Sequence, residues 1–220
     1  MELRIDLLLN GELGRWVNLN YQWEFGRTYC YWKDAGVSWE VDHSCYLPQQ
    51  RYAAISVHWP IKILSHQISS YKHFLNIHPG YLPYGRGMYP VFWSVFLNEK
   101  AGATTHQITN AMDEGPILFR NQVTFDEEST GGQVWDLVFQ VEKQQFVDTV
   151  KLLQSFPKEL PLFFDHNPKG PNRKKIDFLN LRDRPPLSQM QEHEVQRLIK
   201  ALTSTKYPTP EWILDIMRQE

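Results

Sequence analysis

At 220 residues, with 42% hydrophobic and 22% charged side chains, the chain is long enough for one large domain with a real core and a small C-terminal appendage. Its net charge of −2 offers no basic field to nucleic acid, and its two cysteines, Cys30 and Cys45, make neither a disulfide framework nor a zinc motif. No apolar run approaches a membrane span and the opening Met-Glu-Leu-Arg-Ile-Asp has no signal-peptide pattern, so a soluble, cytoplasmic protein is expected, with neither nucleic acid nor a membrane as partner.

Leu3 to Asn10 passes from alternation into an apolar run and ends at Asn10-Gly11, the pattern of a buried parallel strand leading into a turn. The following Gly11-Glu-Leu-Gly14-Arg-Trp16 resembles a loop feeding a helix but lacks the spacing of a dinucleotide fingerprint. Residues 21 to 50 are rich in Tyr and Trp and poorly periodic, with Thr28–Trp32 and Val37–Val41 as candidate strands. Tyr52 to His58 is β-branched and apolar, the pattern of a central strand. Trp59-Pro60 breaks it, and Ile61 to Ile68 is expected as a short helix. His73 to His78 predicts the next strand, and Tyr89 to Leu97 a helix with Pro90 in its first turn. Gly102–Ile108 and Ile117–Phe125 predict two more strands, joined by the loop that carries Asp113.

From Thr130 to Phe156 the residues Val134, Leu137, Val138, Val141, Phe146, Val147, Val150 and Leu153 recur on one face of a long helix, a core stripe. Pro157 to Pro171 is Pro-rich and is expected to leave the main domain. That divides the chain into a main domain over 1–156 and a small C-terminal hairpin and helix over 157–220. The basic run Arg173-Lys174-Lys175 is too short for a nucleic-acid patch and reads as a solvated hairpin. His58, His66, His73 and His78 match no metal-ligand spacing.

The chemistry concentrates between Phe74 and Leu118. If the chain is extended at Asn76-Ile77-His78, the amide and the imidazole project from one side, because side chains alternate in a strand. Pro79 and the Gly/Pro-rich run to Gly87 must form a loop, which puts the pair at the carboxyl end of a strand, where open α/β sheets hold ligands. An amide that donates to an oxyanion, beside an imidazole that moves a proton, suits acyl transfer. Asp113, in the turn-like Met112-Asp113-Glu114-Gly115, is placed to bring a carboxylate to His78, with Glu114 solvated. The plain alternative for His78 is a half-buried strand-end histidine capped by its neighbours. His106 is a second imidazole, expected to be a packing residue. Arg86, facing the start of the Tyr89–Leu97 helix, suits either an anion grip or a structural bond to loop carbonyls.

The whole pattern says more than the pair. Asn76-x-His78-Pro79-Gly80-x-x-Pro83-x-x-Arg86-Gly87, then Gly102-x-Thr104-x-His106, then Asp113-x-Gly115-Pro116-Ile117-Leu118, resembles the 10-formyltetrahydrofolate-dependent formyltransferases. Its His-Pro-Gly-x-x-Pro-Tyr-x-Arg-Gly form is similar to the sugar-nucleotide N-formyltransferase branch. The resemblance implies an α/β, Rossmann-like, mostly parallel sheet. It also implies Asn76, His78 and Asp113 as catalytic residues, with no metal. It assigns 10-formyltetrahydrofolate to Trp59, Pro60, Ile61, Ile63, Leu64, Asn110 and Asp113, largely through backbone groups. It assigns the acceptor to Gly80, Tyr84, Arg86, Gly87, Met88, Tyr89 and Trp93, although each of the aromatic side chains suits the core equally. The implied partners are a folate donor and a nucleotide-linked amino sugar, first dTDP-4-amino-4,6-dideoxyglucose for surface glycans, within a homodimer.

A Lys175-Ile-Asp177-Phe178 element and a helix ending Lys200-Ala201-Leu202-Thr203 resemble the branch's C-terminal wall, with Lys200 where an Arg is common. The Asn-x-His pair lies nearer the start than in the family, which implies an opening β-α unit that is shortened or missing. Two rivals stand beside this reading: a formyltransferase for another amine such as hydroxyornithine, and a non-catalytic binding protein that keeps the fold.

Overall fold

Among the described residues six strands form one sheet: Ile5–Asn10 (β1), Thr28–Tyr31 (β2), Arg51–Val57 (β3), Tyr71–His78 (β4), Ala101–Gln107 (β5) and Ile117–Val123 (β6). Their order is β2-β1-β3-β4-β5-β6. The computed structural model describes residues 5–21, 28–31, 51–158, 160, 165–204 and 209–218. The strand expected over Val37–Val41 lies outside the described residues. β1 pairs in parallel with β2 and β3, β3 pairs in parallel with β4, and β4 pairs antiparallel with β5. A mostly parallel α/β sheet results. Consecutive buried side chains such as Ala53-Ala54-Ile55 and Phe74-Leu75 occur because strands of a covered parallel sheet bury both faces.

Seven α-helices accompany the sheet among the described residues: Gly11–Tyr21 (α1), Ser65–Ser69 (α2), Pro90–Leu97 (α3), Gly131–Ser155 (α4), Lys175–Asp183 (α5), Glu192–Leu202 (α6) and Glu211–Met217 (α7). The opening β-α unit that the early position of Asn76 put in doubt is therefore present, as β1 and α1. α2 starts four residues later than the pattern Ile61–Ile68 implies. The Leu64 backbone N–H donates to Gln67 Oε1 at 2.8 Å, which caps the first turn at Ser65 and leaves 61–64 irregular.

The chain divides into two compact units, each built from segments that interleave in sequence. One comprises Met1–His78, Thr104–Phe119 and Glu142–Asn167, the other Pro79–Ala103, Arg120–Val141 and Pro168–Glu220. In the first, Leu7, Leu9, Ile55, Val57, Leu75 and Ile77 from the strands are fully buried with Leu13 and Val17 of α1 and Phe146 and Leu153 of α4. The Trp16 ring meets Phe146 edge-on, with centroids 6.3 Å apart.

In the second unit, Val91, Phe92 and Trp93 of α3 pack with Val134 and Val138 of α4, Phe178 of α5 and Leu198 of α6. Tyr89 takes a left-handed conformation (φ 58°) as N-cap of α3, and Pro90 occupies the first turn, where its missing N–H is no loss. Of the stripe along α4, Val134, Val138, Phe146, Val150 and Leu153 are buried and Val141 and Val147 half-buried, whereas Leu137, off the face shared by Val134, Val138 and Val141, is 45% exposed. No helix among the described residues is long and apolar enough to cross a membrane.

Phe146 has no exposed surface, so Phe146→Ala leaves a cavity that the sheet cannot close. It is expected to lower stability by about 3–5 kcal/mol, read from the shift of a chemical-denaturation midpoint. A loss under about 1 kcal/mol would put this ring outside the core.

Candidate active site

β4 ends at His78 because Pro79 has no N–H to give a ladder. Asn76 and His78 share a face of β4, separated by the fully buried Ile77. The antiparallel register then sets His106 of β5 opposite Asn76 and Thr104 opposite His78. His106, expected as a packing residue, is therefore part of the cluster.

Its Nδ1 lies 3.0 Å from the Gln107 carbonyl, to which only a protonated Nδ1 can donate. In the neutral tautomer this leaves Nε2 to accept from the Asn76 amide at 3.3 Å. The same Nε2 is 3.5 Å from Asp113 Oδ1. His78 Nδ1 is 4.0 Å from Asp113 Oδ2, an ion-pair distance longer than a hydrogen bond. The two imidazole rings are T-shaped, 6.4 Å apart. His106 and His78 are 2% and 6% exposed, so both rings have left bulk water.

Asp113 reaches this cluster because its loop is closed. The Gln107 N–H donates to the Pro116 carbonyl at 2.8 Å across the loop's mouth. Asp113 itself is left-handed (φ 52°), a conformation Asp tolerates better than most residues. At Gly115 any Cβ would collide with the Gln107 carbonyl, so glycine is required there. Asn167, 8% exposed, donates through Nδ2 to the carbonyls of Asp113 (3.0 Å) and Gly115 (2.9 Å). It lies in the stretch that reads as a Pro-rich linker. Asp165 returns beside Ile117 in an antiparallel bridge, and this return carries Asn167 to the loop.

The residues assigned to the folate by resemblance fall in the same unit. Trp59, Ile61 and Ile63 are half-buried, and Pro60 and Leu64 are exposed. Ile63 packs against the Ala54, Tyr71 and Phe74 cluster. Asn110 is exposed, and its Oδ1 accepts from the Ser65 hydroxyl at 2.8 Å, which ties the loop after β3 to the Asp113 loop.

The residues assigned to the acceptor fall in the other unit. Gly80 is buried beneath Gly85. Arg86 donates to the Gly170 carbonyl at 3.2 Å, the structural bond its loop position allowed. Gly87 (φ 93°) bridges to Arg173, and a Cβ there would strike the Arg173 carbonyl. Trp93 is buried and donates through its indole N–H to the Met88 carbonyl at 3.0 Å, while the Tyr89 ring stacks on Phe178 at 3.8 Å. Both therefore have packing roles, whereas Tyr84 and Met88 are 39% and 42% exposed.

Arg173 is not the solvated residue that its basic run implies. Its guanidinium lies 5.1 Å from the Trp93 ring and 3.5 Å from Glu99 Oε1. Burial pushes the Glu99 carboxyl up, with the Arg173 charge opposing. Lys200 donates to the Glu127 carbonyl and pairs with Glu128 at 3.0 Å. Asp177 accepts the Lys174 backbone N–H at 3.1 Å, capping α5.

Residues 52–150, which hold β3 to β5 and the closed loop, match the family model described as Formyl transferase. The fold is that of the formyltransferases. A sugar N-formyltransferase from Shewanella sp FDAARGOS_354 superposes with a TM-score of 0.75 at 17% identity, over 96% of this chain and 92% of that one. The Helicobacter canadensis N-formyltransferase solved with folinic acid and dTDP-3-aminofucose gives 0.74 at 16% identity, over 94% and 83%.

In sequence, a dTDP-4-amino-4,6-dideoxyglucose formyltransferase of Mycobacterium tuberculosis (strain ATCC 25618 / H37Rv) is 31% identical over 70 residues, 32% of this chain and 30% of that protein. A methionyl-tRNA formyltransferase of Clostridioides difficile (strain 630) is 30% identical over 90 residues, 39% of this chain and 29% of that protein. The match to each curated relative thus spans less than a third of its length. Within the formyl transferase segment lie Asn76, His78, His106 and Asp113, but not Asn167.

Asn167→Ala leaves two carbonyls of the Asp113 loop, that of Gly115 buried, without their donor. It is expected to destabilise that loop by about 1–3 kcal/mol. Hydrogen–deuterium exchange should speed up over 108–116 while β3 and β4 stay protected, and unchanged exchange there would show the staple to be dispensable.

Proposed function

We propose that the protein is an N-formyltransferase that moves a formyl group from 10-formyltetrahydrofolate to the amine of a nucleotide-linked amino-dideoxy sugar. The observation that carries this reading is the convergence of Asn76, His78 and Asp113 at the carboxyl end of β4, in a unit that also holds the loop after β3. The acceptor's unprotonated amine attacks the formyl carbon, and a tetrahedral oxyanion forms. The Asn76 amide donates to that oxygen. His78 takes a proton from the attacking nitrogen and delivers one to N10 of the folate as the C–N10 bond breaks. One C–N bond forms and one breaks, one proton leaves the amine and one reaches N10, and nothing is oxidised or reduced. Asp113, 4.0 Å from His78 Nδ1, stabilises the imidazolium that exists between the two transfers.

The acceptor is first dTDP-4-amino-4,6-dideoxyglucose, which the Mycobacterium relative's name supports; the 3-amino isomer is second. The loop Trp59–Leu64 holds the pterin through its backbone. A cytoplasmic homodimer belongs to the same reading.

Incubation with 10-formyltetrahydrofolate and each amino sugar should give a formylated product by mass spectrometry. Asn76→Ala should lower kcat by about 10²- to 10³-fold. His78→Ala should lower it by about 10²- to 10⁴-fold. Near-normal turnover in either variant would overturn the assignment, and product with hydroxyornithine alone would move the enzyme to another acceptor. Light scattering should give twice the 26.0 kDa chain mass.

A further inference from the structure

The loop after β3 begins at a residue held in an unfavourable conformation. His58 has φ 49°, a left-handed geometry uncommon outside glycine. Such a conformation persists only where the surroundings over-determine it. Two restraints do so here. The His58 carbonyl accepts from Asn10 Nδ2 at 2.8 Å, at the end of β1. The His58 imidazole donates through Nε2 to Glu142 Oε1 at 2.6 Å.

Glu142 lies in the middle of α4 and its side chain has no exposed surface, while that of His58 is 11% exposed. Its second oxygen, Oε2, is buried with no hydrogen-bond partner. A buried carboxylate satisfied on one oxygen is a poor way to stabilise a fold, since an apolar side chain of similar size generally does as well or better. Its consequence is specific instead: it fixes the backbone at one position. That position is followed at once by Trp59–Leu64, and the far end of the same stretch is tied by the Ser65–Asn110 hydrogen bond to the Asp113 loop.

We propose that His58 and Glu142 are positioning residues for the formyl donor. The pair holds residue 58 left-handed and so presents the backbone of 59–64 in one arrangement, which sets donor affinity and leaves the chemical step untouched. This rests on the reading of 59–64 as the pterin-holding loop. A preformed loop contributes to affinity because the ordering cost is met before binding.

The test uses the full chain with 5-formyltetrahydrofolate as binding probe, followed by calorimetry, and steady-state kinetics with 10-formyltetrahydrofolate. Glu142→Leu removes the acceptor oxygen, and Glu142→Gln keeps one. Glu142→Leu should weaken probe binding and raise the donor KM by about tenfold or more, with kcat and the acceptor KM within about threefold. Glu142→Gln should stay within about threefold of the wild type on every measure. Hydrogen–deuterium exchange should rise over 58–64 in the Leu variant and stay low along α4. Where the Leu variant does not fold, His58→Gly, which relieves the left-handed strain while deleting the imidazole, carries the same expectation.

The proposal is overturned if a folded Leu or Gly variant binds the probe like the wild type. It is equally overturned if Gln weakens binding as much as Leu, or if kcat falls while the donor KM is unchanged. Wild-type protein that neither binds the probe nor transfers formyl defeats the formyltransferase reading itself, an outcome distinct from wild type that binds with variants that bind equally well.

Discussion

The register between β4 and β5 is the constraint on which the site depends. Side chains alternate along a strand, so one register sets Asn76 against His106 and His78 against Thr104, with Ile77 and Thr105 on the opposite face. A slip of one residue would turn all of these over. The register is held by what lies on the far side: Ile77 is fully buried, and Thr105 donates to Gln145 Oε1 of α4 at 2.9 Å. The polar face is therefore set by the apolar and hydrogen-bonded contacts behind it, and the imidazole pair keeps a fixed spacing.

Asn76, His78 and Asp113 could be picked out in the chain because their determinants are local. Asn76 and His78 sit two residues apart in a strand that stops at a proline, and Asp113 sits two residues before a glycine that the loop geometry demands. β3, β4, α3, β5, β6 and α4 follow from periodicity to within a few residues for the same reason. α2 is misjudged at its start, where one side chain decides the matter by taking the Leu64 N–H. Leu137 shows the limit of a stripe read from spacing, since four turns of apolar residues do not say which lie at the edge of the buried face.

What was hidden is long-range. His106 carries no local signal that distinguishes a cluster member from a packing histidine; only pairing with β4 tells them apart. Asn167 stands in a run of Asp, His, Asn and Pro that reads as turn residues, and its two hydrogen bonds reach carbonyls more than fifty positions earlier. Tyr89 and Trp93 were ambiguous for a chemical reason: a large ring suits a ligand or a core equally until its neighbours are known, and here Tyr89 stacks on Phe178 and Trp93 meets Phe92. Arg173, read as solvated with its basic run, instead finds Trp93 and Glu99. Glu142 was invisible as well, lying on a long helix where a glutamate ordinarily faces water.

The stapling of the Asp113 loop by Asn167 bears on the order in which the molecule can be made. Synthesis runs from the N-terminus, so Asn76, His78, His106 and Asp113 all leave the ribosome before the residue that holds the last of them in place. Until residue 167 arrives, the loop around Asp113 has its backbone closure and the Ser65–Asn110 hydrogen bond but not the Asn167 donor. The growing chain thus carries the whole polar cluster while still lacking its finished geometry, which is completed by a side chain outside that cluster.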